Sequence, residues 1–376
     1  MLALLWRAAA RVARPTAHRS LALCAARAPP APPAGASSCL FSLAPPGWRA
    51  VPREDASRAA EALLRAAVRS RFTCRDVAGH FTVELDAPFA GAPVIVLAPG
   101  YASGSALWAP VLDDLARTHK VYAVDWLGTG ASARPAWRAR TVAEGEAFFV
   151  GGLAAWAAAA GVGQFALAGH SLGGYLAAAF ALAHPGRLNH LVLIGAAGMP
   201  GSRAPGARPD EALVIDWRAR SYLVDAAARA WEAGVTPGGI VRSLGPWGEA
   251  LTRRLVERRF GGAAGLPLPL PLLAQYMHAM LAGAGSGEHA LSLIFYFGAR
   301  AKSPMGPRLC AAAPGALPRV TIVYGEQDWM DVRGGGLLLA EGLRGRGVDA
   351  ACVLVPRAGH FAFLDAPVAV ARAVRR

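Results

Sequence analysis

No long apolar run interrupts this 376-residue chain, although 54% of it is hydrophobic. The nearest, Leu172 to Ala183, is broken by glycines, so no segment reads as a membrane span. Cysteine is sparse. The five, Cys24, Cys39, Cys74, Cys310 and Cys352, lie far apart and form no C-x-x-C pair. That spacing argues against a disulfide framework, a structural zinc and a redox pair, and no metal or bound cofactor is expected. Acidic residues are missing from positions 1–53, which hold seven arginines; Glu54 is the first acid. Half of the net charge of +14 therefore sits in this leader. Arg7, Arg11 and Arg14 recur at helical spacing beside apolar residues. An arginine-rich, serine-containing, acid-free leader reads as an organelle transit peptide, mitochondrial first and plastid second. A secretory signal fits less well, because Arg7 and Arg11 break the apolar stretch. The bland alternative is a disordered tail on a cytoplasmic or lipid-associated protein, and Ala28 to Pro46 is low-complexity either way.

The rest of the chain alternates strands with helical stretches. Apolar runs at His80 to Leu85, Val94 to Leu97, Val121 to Val124, Phe165 to Ala168, Leu191 to Ile194, Val320 to Tyr324 and Ala351 to Val355 read as strands. The rhythm predicts an α/β fold, a mainly parallel sheet with helices on both faces. Between Met199 and Pro318 it stops, and a long, mostly helical segment intervenes. The expected organisation is a leader over 1–53, a core over 54–198 and 319–376, and an inserted helical cap over 199–318. The cap carries Trp247, Tyr276, Met277, Met280, Ile294, Phe295, Tyr296 and Phe297. Those side chains suit an acyl chain, or equally a cap packed on itself.

Gly169-His170-Ser171-Leu172-Gly173 follows one strand and precedes a small-residue helix. Strand, tight turn and helix are the context of a nucleophile elbow, with Ser171 at its tip. The alternative is a glycine-rich turn whose serine merely caps the helix. An elbow predicts an acid and then a histidine further along the chain. Asp328 follows the strand ending at Tyr324, and His360 follows the strand ending at Val355. Loops at the carboxyl ends of strands are where open α/β sheets place their sites. His360 would take the serine proton, and Asp328 would hold the imidazole. Glu326 and Asp331 are nearby competitors for the acid role. The backbone N–H groups of Leu172 and Tyr101 are the expected oxyanion donors. Before Gly100, many such enzymes carry histidine; this chain has Pro99.

Arg253, Arg254, Arg258 and Arg259 flank Leu251, Leu255 and Val256 in an amphipathic pattern. A solvated helix face is the plain meaning. Attraction to lipid headgroups is the sharper one. No nucleic-acid-binding motif accompanies the patch.

The elbow continues into His184-Pro185 and Arg187-Leu188-Asn189-His190-Leu191-Val192-Leu193-Ile194. With Val121-Tyr122-Ala123-Val124-Asp125-Trp126-Leu127-Gly128-Thr129-Gly130, Leu244-Gly245-Pro246-Trp247-Gly248, Arg259-Phe260-Gly261 and Tyr324-Gly325-Glu326-Gln327-Asp328-Trp329-Met330, the chain resembles a known group. These are the lipid-metabolising α/β-hydrolases of the abhydrolase-domain four/five branch. That branch includes plant lysophosphatidate acyltransferase/phospholipases and a yeast mitochondrial cardiolipin deacylase. The resemblance, from about Pro93 to Pro367, implies the α/β-hydrolase fold and acyl-ester chemistry on glycerophospholipids or lysophospholipids. It implies Ser171, Asp328 and His360 as catalytic residues, Tyr101 and Leu172 as oxyanion donors, and acyl-CoA as a co-substrate. It also points to His360 and Asp365 as an H-x4-D acyl-transfer pattern. An acid before Ala366-Pro367 equally suits a helix cap. Peripheral association with a lipid surface is expected, and no nucleic acid. Two other readings stay open: a small-ester carboxylesterase, and a non-catalytic lipid-binding coactivator. Epoxide hydrolase and dehalogenase chemistry would need an aspartate where Ser171 stands.

Overall fold

The computed structural model describes residues 48–199, 222–261, 266–331 and 334–375. Most of the expected leader, with Cys24 and Cys39, lies outside the described residues. Its last positions are packed: Val51 N–H donates to the Ala282 carbonyl at 3.0 Å. Arg53 then opens helix α1 (Arg53–Ala67), which buries Ala56, Ala60, Leu63 and Leu64. A hairpin follows, β1 (Phe72–Val77) and β2 (His80–Leu85). Its two-residue turn, Ala78-Gly79, has φ of 50° and 83°, matching the twist of the flanking strands.

The core continues through β3 (Val94–Ala98), α2 (Ala109–Ala116), β4 (Lys120–Val124), α3 (Val142–Ala159), β5 (Phe165–His170), α4 (Leu172–Ala183) and β6 (Leu188–Ile194). Helix α3 starts at a reciprocal cap, with Thr141 accepting from the Glu144 N–H while Glu144 accepts from the Thr141 N–H. After the insertion come β7 (Arg319–Gly325) and β8 (Ala350–Val355), with three further helices described below. All the expected strands form, with small shifts at their ends. Strand β1 matches none of the runs that read as strands. It is an edge strand with mixed burial, so no apolar run marks it.

The eight strands lie in the order β1-β2-β4-β3-β5-β6-β7-β8. From β4 to β8 every pairing is parallel; β1–β2 and β2–β4 are antiparallel. Helices cover both faces, so the central strands are buried runs. Leu63, Leu112, Leu115, Val370 and Val374 pack on one face, with the C-terminal helix covering its end. Phe149, Trp156, Leu176, Phe180 and Leu343 pack on the other. Register sets the geometry of one sheet edge. Ala98 lies beside Gly169, His170 beside Ile194, and Ile194 beside Val323. The loops leaving β3, β5, β6, β7 and β8 therefore converge.

The insertion holds α5 (Tyr222–Glu232), α6 (Pro237–Ser243), α7 (Pro246–Phe260), α8 (Leu270–Ala282), α9 (Ala290–Ile294) and α10 (Met305–Cys310) among the described residues. Pro271 sits in the first turn of α8, where a missing N–H costs nothing. The insertion is anchored to the core. Helix α8 packs on α1 and α9 on α3. The Arg308 guanidinium of α10 grips Glu146 of α3 at 2.6 and 2.8 Å, and the Tyr175 hydroxyl of α4 donates to the same carboxylate at 2.6 Å. The cap aromatics divide accordingly. Tyr276, Ile294 and Phe295 are core residues, whereas Trp247 and Tyr296 are exposed.

Among the described residues, the three remaining helices are α11 (Gly335–Arg344), before β8, and then α12 (Ala362–Asp365) and α13 (Pro367–Arg375).

Buried histidines make the fold sensitive to acid. On β6, His190 Nδ1 accepts from Arg319 at 3.2 Å, so Nε2 carries the proton and donates to Thr321 Oγ1 at 2.8 Å. Burial, then the Arg319 and His119 charges, pushes the His190 pKa down to about 4. The unfolded chain binds this proton near pH 6.5 and the folded chain does not. Stability is therefore lost as pH falls from about 6.5 toward 4, at about 1.4 kcal/mol per pH unit for this one proton. His190→Gln should flatten the dependence of urea-unfolding free energy on pH between these limits. An unchanged slope would mean that His190 is not held neutral in the fold.

Candidate active site

Ser171 stands between β5 and α4 with φ 53° and ψ −119°. A non-glycine residue held there is strained, and strain of this kind marks functional turns. The surroundings enforce it. Ser171 N–H donates to the Ile194 carbonyl at 3.0 Å, and its own carbonyl accepts from Gly174 and Ala197. A Cβ on Gly169 would overlap the Gly173 carbonyl, and one on Gly173 would overlap the Pro99 carbonyl. The motif glycines are the only residues that fit this crossing of strand, helix and loop.

The structure brings three of the expected side chains together. His360 Nε2 lies 3.1 Å from Ser171 Oγ, and His360 Nδ1 lies 3.0 Å from Asp328 Oδ1. An ionised carboxylate only accepts, so Nδ1–H donates to Asp328 and Nε2 is free to accept the serine proton. Asp328 Oδ1 also accepts the Met330 N–H at 2.9 Å, which fixes the carboxylate. The competing acids face elsewhere. Glu326 accepts from the Arg357 N–H at 3.0 Å, and Asp331 from the Gly336 N–H at 2.8 Å. Gly195, φ 51°, backs the trio; a Cβ there would stand 2.8 Å from Asp328 Oδ2.

Tyr101 and Leu172 line one small cavity beside the elbow. Among the described residues neither backbone N–H has a hydrogen-bond partner. The loop that carries Tyr101 is pinned without the usual histidine: Trp126 Nε1–H donates to the Pro99 carbonyl at 3.0 Å, and Ser103 Oγ to the Gly100 carbonyl at 3.0 Å. Asp125 accepts the N–H groups of Ser105 at 2.5 Å and Ala131 at 2.8 Å, and burial pushes its carboxyl pKa up to about 6. The Tyr101 hydroxyl accepts from Gly238 N–H at 3.1 Å, tying this loop to the insertion.

The remaining expected residues separate. Asp365 is not aimed at Ser171. Its carboxylate accepts the Gly359 N–H at 2.8 Å and so braces the loop that carries His360. Of the four arginines on α7, Arg259 lies against the rings of Phe260 and Phe361, 5.4 and 5.9 Å from their centroids. Arg253, Arg254 and Arg258 are exposed and are not brought to the site.

In the sequence His170 stands only as a position of the motif, yet it belongs to the site. Its Nε2–H donates to the His360 carbonyl at 3.0 Å, and its ring sits 4.8 Å from the His360 ring and 4.9 Å from Phe363. Burial, and then the His360 charge, holds its pKa well below the ordinary histidine value. Its place beside the serine was the only signal in the sequence, since no periodicity shows which way a turn residue points.

Residues 93–234 match the family described as the alpha/beta hydrolase fold. A 1-acylglycerol-3-phosphate O-acyltransferase of Arabidopsis thaliana is 36% identical over 297 residues, 78% of this chain and 68% of that protein. A (lyso)-N-acylphosphatidylethanolamine lipase of Homo sapiens is 30% identical over 64% of this chain and 67% of that protein. Among solved structures, the carboxylesterase CesB of Bacillus subtilis superposes with a TM-score of 0.56 at 20% identity, covering 86% of this chain and 97% of its own. The chain belongs to the α/β-hydrolase family. Within it, the sequence relatives place the chain in the abhydrolase four/five-like branch.

The geometry of this α/β-hydrolase separates the neighbouring carboxylates by experiment. Asp328→Asn should lower any hydrolysis of a test ester by about 10³- to 10⁴-fold, by analogy with the acid of serine triads, while Asp331→Asn should change it only a few-fold. Steady-state kinetics of the two variants check this, and the reverse order would remove Asp328 from its role.

Proposed function

We propose that the protein is a serine acyl-enzyme that moves or hydrolyses acyl groups of glycerophospholipids or lysophospholipids. The observation that carries the proposal is His360 spanning Ser171 and Asp328 at 3.1 and 3.0 Å. Ser171 Oγ attacks the acyl carbonyl while His360 Nε2 takes its proton. The resulting oxyanion is met by the N–H groups of Tyr101 and Leu172. As the tetrahedral species collapses, His360 returns the proton to the leaving oxygen, or to the sulfur when acyl-CoA is the donor. The acyl–Ser171 ester then meets a second nucleophile, deprotonated by His360. Water gives hydrolysis; a lysolipid hydroxyl gives transfer.

The relatives support the substrate class: one is named for acyl transfer to acylglycerol phosphate, another for lipase action on an N-acyl phospholipid. Both reactions share the acyl-enzyme and differ in what replaces the leaving group. The arginine-rich leader favours delivery to the mitochondrion, and the substrate favours work at a lipid surface.

Purified protein incubated with labelled lysophosphatidic acid and acyl-CoA, and in parallel with phosphatidic acid or cardiolipin, tests this. Product formation should fall at least about 10³-fold in Ser171→Ala, as should labelling by a fluorophosphonate. The product pattern separates transfer from hydrolysis. Turnover unchanged in Ser171→Ala, or absent from the parent, would instead support a lipid-binding protein without this chemistry.

A further inference from the structure

We propose that the outward face of helix α7 docks the protein on a bilayer surface containing anionic phospholipid. Trp247, Leu251, Arg254 and Arg258 recur at i, i+4, i+7 and i+11 and share one face of the helix. The opposite face, Gly248, Thr252, Val256 and Phe260, is buried. Trp247 is 64% exposed, the most exposed of the large apolar side chains among the described residues. Arg254 and Arg258 are exposed further along the same face, with Arg253 on the flank and Leu251 and Leu255 half-buried. Among the described residues, none of Arg253, Arg254 and Arg258 is held by an ion pair, although Glu249 and Glu257 lie on the same helix. Four arginines against two glutamates leave α7 cationic.

An exposed indole and arginines along one helix face are the composition that settles at headgroup depth, with the ring at the apolar boundary and the guanidinium groups among phosphates. The far end of α7 reaches the candidate site. Phe260 packs 5.8 Å from Phe361, the residue after His360, and Arg259 lies over the same ring. Docking through this face holds the His360 loop beside the surface that supplies the substrate, and that link rests on the phospholipid reading above.

Co-sedimentation of the full chain with vesicles tests the face, using phosphatidylcholine with phosphatidic acid against phosphatidylcholine alone. All variants carry Ser171→Ala, so that binding is read without turnover. Because every protein retains the same basic leader, a difference between variants reports α7. Binding to the anionic vesicles should weaken with salt and fall about fivefold for each of Arg254→Gln and Arg258→Gln. Trp247→Ala should weaken it comparably. With Ser171 intact, the same three substitutions should leave hydrolysis of a soluble short-chain ester unchanged. Equal vesicle binding by parent and variants, or none by the parent, overturns the proposal. Retention on polyglutamate without vesicle binding also overturns it, and assigns the face to an acidic protein. If no ester is turned over while the vesicle differences persist, the acyl-enzyme reading fails and the docking face stands.

Discussion

The rest of the site depends on one backbone crossing, where β5 turns into α4 at Ser171. The turn has a left-handed φ that an L residue resists, and it persists because nothing around it can relax. Gly169 and Gly173 allow strand, helix and the Pro99 loop to approach within distances a methyl group would forbid. Ile194, Gly174 and Ala197 then hold the Ser171 peptide by hydrogen bonds. The turn leaves the hydroxyl within 3.1 Å of His360 Nε2, and Leu172 opens α4 immediately after it. The Ser171 hydroxyl and the first N–H of α4 are thus both placed by a single constraint.

The histidine is positioned differently, by several weak braces on a loop. Asp328 orients its ring, His170 holds its carbonyl, and Asp365 holds the N–H of Gly359 before it. Phe361 and Trp329 flank it, and α7 leans on Phe361 from the insertion. A neutral His170 suits this place. An imidazolium there would oppose any positive charge on the His360 ring 4.8 Å away. The H-x4-D pattern is therefore present, but its aspartate acts on the loop backbone.

The insertion is part of the core as much as a cover over it. Helices α8, α9 and α10 reach α1, α3 and α4, and Tyr276 is as buried as any strand residue. Helix α7 combines an inner face that closes on the His360 loop with an outer face of tryptophan and arginine. One helix thus joins the His360 loop to an exposed cationic face.

The sequence alone determined the parallel α/β core, the elbow and the order serine, acid, histidine. These are local signals: buried strands are apolar runs, and a turn that tight needs glycine at fixed positions. Tertiary structure decided what depends on direction in space. It selected Asp328 over Glu326 and Asp331, because three carboxylates within six residues differ only in where the loop aims them. It recruited His170, turned Asp365 to the backbone, and split the four arginines between Phe361 and solvent. It also formed β1 and bound the segment before α1 to the end of α8, since edge strands and flanking segments take their partners from elsewhere in the chain. Spacing along a sequence records which residues are neighbours on an element. Only the packing of elements against one another fixes which side chain meets which.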